Sequence, residues 1–184
     1  MQGIAEFLPH LTERGLVLQA GGASGAYPAE LAKHFQRVIT VEPNAANFAR
    51  LSKAVAALDN VVTIHAGLWD APGRCGTKIL RNHDPHTSYI VPGEQVSLTT
   101  IDGILGGKAP DLIWLDIEGS EHKALQGATC ALESCNAVII EQGKKLELNV
   151  GDEPDSASSL LIELGFKNVF RFRLDHLYIR ENGK

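Results

Sequence analysis

Apolar residues in this chain fall into short continuous runs, and between the runs they recur at helical spacing. Residues 16–19, 38–42, 61–65, 111–116 and 137–141 read as strands. Pro28 suits the first turn of a helix reaching about Phe35, where its missing N–H costs little. Asn44 can cap a second helix, in which Phe48, Leu51, Val55 and Leu58 form an apolar stripe that Asn60 ends. Residues 70–73 form a turn, and residues 74–93 show little regular periodicity. A short extended piece over 96–102 leads into a short helix, and a further helix is expected over 121–132. Gly165 closes a helix over 156–164, and 169–174 with 177–179 can pair as a terminal hairpin. Such alternation predicts an α/β domain whose mainly parallel sheet is covered by helices on both faces.

Composition narrows this little. The 184 residues fit one domain, with 44% hydrophobic and 21% charged residues. A formal charge of −5 argues against a broad surface for nucleic acid or anionic membrane. Neither a leader nor a membrane-length apolar span is evident, and the three cysteines lack zinc-type spacing. A cytoplasmic protein is the expectation.

In a sheet of this kind ligands gather beyond the carboxyl ends of the strands. The residues there are Gln19 to Gly25, Glu42, residues 66–70, residues 116–119 and Glu141. The first strand enters a glycine cluster, Gln19-Ala-Gly-Gly-Ala-Ser-Gly25, which lets backbone approach a ligand closely. Its G-x-x-x-G spacing is neither the G-x-G-x-x-G of dinucleotide binding nor a P-loop, and it suits a cofactor without a pyrophosphate. Glu42, ending the next strand, can accept hydrogen bonds from both hydroxyls of a ribose. A glutamate that merely caps the following helix is the plainer alternative.

These residues stand in an ordered set of motifs. Residues 18–25, Val41-Glu-Pro-Asn44 with Phe48, Asn60-Val61 and Ala66-Gly-Leu-Trp-Asp70 come first. Leu98-Thr-Thr-Ile-Asp102, Leu112-Ile-Trp-Leu-Asp-Ile-Glu-Gly-Ser-Glu121, Leu125-Gln-Gly-Ala128 and Leu161-Ile-Glu-Leu-Gly-Phe166 follow. Over about residues 15–180 the set resembles FkbM-type methyltransferases, which are similar to other class I enzymes dependent on S-adenosylmethionine. The resemblance implies a Rossmann-like methyltransferase fold with a seven-stranded sheet and an antiparallel C-terminal hairpin. It implies that Gly21, Gly22, Ala23, Ser24 and Gly25 cradle the methionine part. Glu42 with Pro43 would hold the ribose, Gly67 and Leu68 would lie beside the adenine, and Asp116 would face the methionine moiety or the acceptor. The family commonly begins its glycine motif with Asp, where this chain has Gln19. A Gln can accept a hydrogen bond there but brings no charge, so weaker cofactor binding or a compensating group is expected.

The chemistry is expected in the segment from Asp116 to His122. Transfer of a methyl to an alcohol must align the acceptor and help remove its proton. Asp116, Glu118 and His122 are the candidates for that work, with Glu141 on the next strand, and acids in a helix's first turn also serve simply as dipole partners. His83, Asp84 and His86 could suggest a metal site, but a polar loop that contacts the acceptor is the preferred reading and no metal is expected. The expected partner is a small-molecule or glycan acceptor methylated at a hydroxyl oxygen. The alternatives are a non-catalytic nucleoside-binding or assembly domain of the same fold, and a nucleotide-dependent oxidoreductase.

Overall fold

The computed structural model describes residues 3–79, 88–142 and 156–181. Helix α1 (Ile4–Phe7) and a 3-10 turn (Leu8–His10) precede β1 (Leu16–Ala20), α2 (Ala26–Leu31), β2 (Arg37–Val41), α3 (Ala45–Ala54) and β3 (Val61–Ile64). Then come β4 (Gly67–Leu68), β5 (Gly73–Ile79), β6 (Ser88–Thr99), α4 (Ile101–Leu105) and β7 (Leu112–Leu115). The chain continues with α5 (Glu121–Gln126), α6 (Thr129–Ser134), β8 (Ala137–Glu141), α7 (Ser156–Glu163), β9 (Phe166–Phe172) and β10 (Asp175–Arg180).

Seven strands form the main sheet in the order β3-β2-β1-β7-β8-β10-β9. The neighbours from β3 to β8 are parallel, while β10 runs antiparallel to both β8 and β9. The strands read as unbroken apolar runs because both faces are covered. Along β1, Leu16 and Leu18 pack with α4 to α7, whereas Val17 turns to the opposite core with Phe7 and Leu31. Helix α1 was not expected. It seats the fully buried Phe7 edge-on against Trp114, Phe170 and Phe172. No helix among the described residues is long and apolar enough to cross a membrane.

Two expectations need correction. Residues 74–79 and 88–93 are regular strand, because β5 and β6 pair antiparallel and, with β4, form a second sheet in the order β4-β6-β5. A register shift at Cys75/Gly76 breaks the two-residue alternation, and Pro92 and Gly93 interrupt β6. Among the described residues Cys75, Ile90 and Val96 form its buried core, with Trp69 and Leu98 packed against it. The helix expected over 121–132 is two helices. A Cβ on Gly127 would lie 2.3 Å from the Trp69 carbonyl oxygen, so the chain turns there against β4 and starts again as α6.

Asp102 of α4 provides that restart. Its carboxylate accepts from the Cys130 and Ala131 amides at 2.9 and 2.8 Å and from the Thr129 hydroxyl at 3.1 Å. Asp102→Ala is therefore expected to cost about 1–2 kcal/mol in denaturant unfolding, as for other lost helix caps. A change below a few tenths of a kcal/mol would show that α6 holds without it.

Candidate functional site

The carboxyl ends of β1, β2 and β7 meet at a groove that opens to solvent. Its walls are Ala20 at the end of β1 and Gly21 after it, Glu42 and Pro43 after β2, Leu68 of β4, Ser88 to Ile90 of β6, and Asp116 and Ile117 after β7.

The loop after β1 takes its shape from its glycines. The amides of Gly21 and Gly22 both donate to the Val41 carbonyl, at 3.0 and 3.2 Å, which presses the loop onto β2. Gly21 has φ +87°, and a Cβ there would stand 1.9 Å from the Asp116 carbonyl oxygen. Gly22 and Gly25 face inward instead. A Cβ on Gly22 would meet Leu51, and one on Gly25 would meet Ala54 of α3. Ala23, at φ +43°, donates its amide to Glu42. Of the five loop residues 21–25, the structure thus brings Gly21 to the groove wall, while Gly22 and Gly25 let the loop pack on α3. Gly67 plays a similar packing part, leaving room for Ile90 and Leu98 of β6.

Glu42 is almost fully buried. Its carboxylate accepts the Ala23 amide on Oε2 and the Asn44 amide on Oε1, both at 2.9 Å, with the Ser88 hydroxyl at 3.4 Å. Burial pushes its carboxyl above the usual carboxylate value, and the backbone bonds from Asn44 and Ala23 pull the other way. The Asn47 side chain bonds the carboxylate as well, so its roughly four acceptor positions are all engaged, and the longest of these bonds, from Ser88, is the one a groove ligand would displace. Asn44 is a helix cap, as its spacing predicted, accepting the Ala46 and Asn47 amides at 3.1 Å. Next to it the Phe48 and His65 rings stack with centroids 4.7 Å apart, and the His65 Nε2 lies 3.1 Å from the Pro43 carbonyl.

Gln19 does not reach the groove. It is buried on β1, where its Oε1 accepts from the Thr40 hydroxyl at 2.6 Å and its Nε2 donates to the Ala20 carbonyl at 2.9 Å. A carboxylate in that position could not donate the second of these bonds.

Beyond β7 the half-buried Asp116 and Glu118 are joined by Glu141 from the end of β8. One carboxylate oxygen of each lies within 4.8 Å of those of the other two. Glu118 is held at φ +54°, in the left-handed region. His122 is half-buried one residue into α5 and is not one of the three. Tyr27 of α2 was not singled out by sequence. Burial, then the charges of Asp175 and Asp116, raise its phenol above the usual value, which places a hydroxyl within electrostatic reach of the same acids. Ser88, Tyr89 and Ile90, which sequence leaves in an irregular stretch read as an acceptor-contacting loop, belong to strand β6 and line the groove. His83, Asp84 and His86 lie outside the described residues.

The comparisons with known proteins agree with this arrangement. The family model described as "Methyltransferase FkbM domain" matches residues 20–170. No curated protein sequence matches the chain. Among solved structures, an FkbM methyltransferase from Methylobacillus flagellatus KT superposes with a TM-score of 0.60 at 20% identity. The match covers 90% of this chain and 43% of that one, so this chain spans less than half the length of that relative. A precorrin-6y C5,15-methyltransferase from Geobacter metallireducens GS-15 gives 0.52 at 11% identity, covering 95% of this chain and 85% of that one. Magnesium protoporphyrin IX methyltransferase from Synechocystis PCC 6803, solved with bound SAM, gives 0.53 at 13% identity over 96% of this chain and 76% of that one. With the family match spanning most of its length and the sheet order and strand-end groove in place, this chain belongs to the FkbM methyltransferase domain family.

Proposed function

We propose that the chain binds S-adenosylmethionine in the groove between β1, β2 and β7, and that it methylates a hydroxyl oxygen of a small-molecule or glycan acceptor. The observation that carries this reading is the pairing of Glu42 and Asp116 as walls of one groove, with Glu118 and Glu141 converging beside Asp116.

The residues present fit such a ligand. Glu42 lines the groove and can accept a ribose hydroxyl in place of its long bond from Ser88. Pro43, Leu68 and Ile90 offer apolar wall for a flat base. Gly21 allows close backbone approach. The bound cofactor supplies an electrophilic methyl. The protein's share is to hold the acceptor in line and to accept its hydroxyl proton, and Asp116 or Glu118, with His122 close by in sequence, would take that role; the convergence of Asp116 and Glu118 supports this. A cluster of acids favours an acceptor that offers hydrogen-bond donors, as polyols and sugars do. Tyr27 adds a hydroxyl near the same edge.

Isothermal titration with S-adenosylhomocysteine is the direct test. Saturable binding below millimolar concentration is expected. Absence of binding at millimolar ligand, or thermal stabilisation by NAD alone, would overturn the cofactor assignment. Incubation with radiolabelled S-adenosylmethionine and fractionated lysate should then label a hydroxylated product.

A further inference from the structure

The turn that carries Asp116 and Glu118 is built around a carboxylate that no step above uses. Glu121 is the first residue of α5, yet it is only 7% exposed. Its side chain folds back, with Oε1 accepting the Ile117 amide and Oε2 accepting the Gly119 amide, both at 3.0 Å. Between these two anchored amides sits Glu118, at φ +54°, followed by Gly119 at φ +95°. A non-glycine residue in this left-handed region persists only where its surroundings hold it. A glutamate serving merely as a dipole partner for α5 would stay in water, and this one does not. The turn must also resist the mutual repulsion of Asp116, Glu118 and Glu141, whose oxygens crowd within 4.8 Å.

We infer that Glu121 is a positioning residue: by clamping the Ile117 and Gly119 amides it locks Glu118 in its left-handed conformation, and so fixes both the Ile117 groove wall and the direction of the acceptor-facing carboxylates. This rests on the methyl-transfer reading of the groove. Burial pushes the Glu121 carboxyl up to about 7, with the Glu141 charge adding to the rise and the backbone bonds opposing it. Titratable groups stand on the elements around it, and the charge of Glu141 acts on it. Glu141 comes from β8, Asp116 and Glu118 lie on its own turn, and His122 and Lys123 follow on α5. Glu133 lies on α6, and on the packed helix α7 the charged residue is Glu163 at its end. The clamp is strongest when Glu121 is ionised, because an acid that carries a proton has lost one acceptor oxygen to a hydroxyl. The turn therefore tightens as pH rises through about 7.

The test follows the amide protons of Ile117 and Gly119 by nuclear magnetic resonance between pH 5.5 and 8.5, together with S-adenosylhomocysteine titrations over the same range. In the wild-type protein both amides should titrate with a midpoint near 7 and move to lower field on ionisation. In Glu121→Gln, which keeps the shape but can accept only one of the two amides, the titration should vanish. Affinity at pH 8 should fall about 5–10-fold in that variant, less than one charge-assisted bond to the ligand itself is worth, because the loss reaches the ligand only through the turn. Amides that do not titrate in the wild type, or a folded Glu121→Gln that binds the ligand as tightly as wild type across the range, would overturn the inference. Should the variant fail to fold, the wild-type amide titration alone decides. A wild-type protein that binds no S-adenosylhomocysteine sinks the methyl-transfer reading instead, and the amides still report separately on the clamp.

Discussion

Gly21→Ala is expected to lose about 3 kcal/mol of stability and on the order of 100-fold in affinity for S-adenosylhomocysteine. Two costs combine at this position. The backbone sits at φ +87°, where an L side chain is strained, and the new Cβ would overlap the Asp116 carbonyl oxygen at 1.9 Å. Neither partner can move freely. The Gly21 amide is bonded to β2, and the Asp116 amide is bonded to the Ala20 carbonyl at 3.1 Å. The methyl group must therefore push the β1 loop and the β7 turn apart, and these are facing walls of the groove. Gly106→Ala makes the matching control, because φ there is +56° but no atom lies within 4 Å of the added Cβ. It should pay only the conformational part, about 1 kcal/mol, and leave ligand binding unchanged. Thermal melts and titrations on the two variants separate strain from collision. If Gly21→Ala behaves like Gly106→Ala in both, the tight contact between β1 and β7 is not what shapes the site.

The strand ends were legible in the sequence for a simple physical reason. A buried parallel strand is an apolar run, and the first polar residue after it marks where the chain leaves the core. That reasoning puts Glu42 and Asp116 at one edge, and the structure makes both of them groove walls. The β6 wall was not legible, because a bulge, Pro92 and Gly93 erase the alternation that identifies an exposed hairpin. Pairing distant in sequence also hides itself: nothing near Asp102 signals that it caps α6, nor does any local signal turn Glu121 inward. Gln19 shows the opposite case. It reads as a weakened cofactor contact when set beside the family's Asp, but here its amide is consumed by Thr40 and Ala20 inside the sheet. The substitution matters to how β1 and β2 are joined, and the glycine loop stands on top of that joint.

Glu42→Ala is expected to be the most damaging change for the ligand while leaving the protein folded. Two losses occur together. The Ala23 and Asn44 amides lose their acceptor, at a cost of about 1–3 kcal/mol each where water cannot replace it. The ribose hydroxyls lose a charged acceptor, which by itself is worth roughly 3 kcal/mol for two bonds, or about 100-fold in affinity. Ala23 is held at φ +43° with its amide on this carboxylate, so the loop loosens in the same step. A ligand comparison distinguishes the two losses. The 2′-deoxy analogue of S-adenosylhomocysteine should bind the wild type more weakly than the parent compound, and Glu42→Ala should bind both alike. Protonation gives a second signature with a definite sign. Burial raises the folded-state value of Glu42, so the native protein holds this proton at a pH where the unfolded chain has released it. The group therefore favours the folded state below its unfolded value of 4.5, and that contribution is lost as pH rises through the raised folded value. Ribose hydroxyls donate to the ionised carboxylate, so binding releases the proton, and affinity should fall as pH drops through that raised value. Calorimetry in buffers of different ionisation enthalpy detects the release directly, and the variant should show none from this group. Equal affinities for the two analogues in the wild type, with no proton release, would leave Glu42 as a support for the β1 loop and remove it from the ribose.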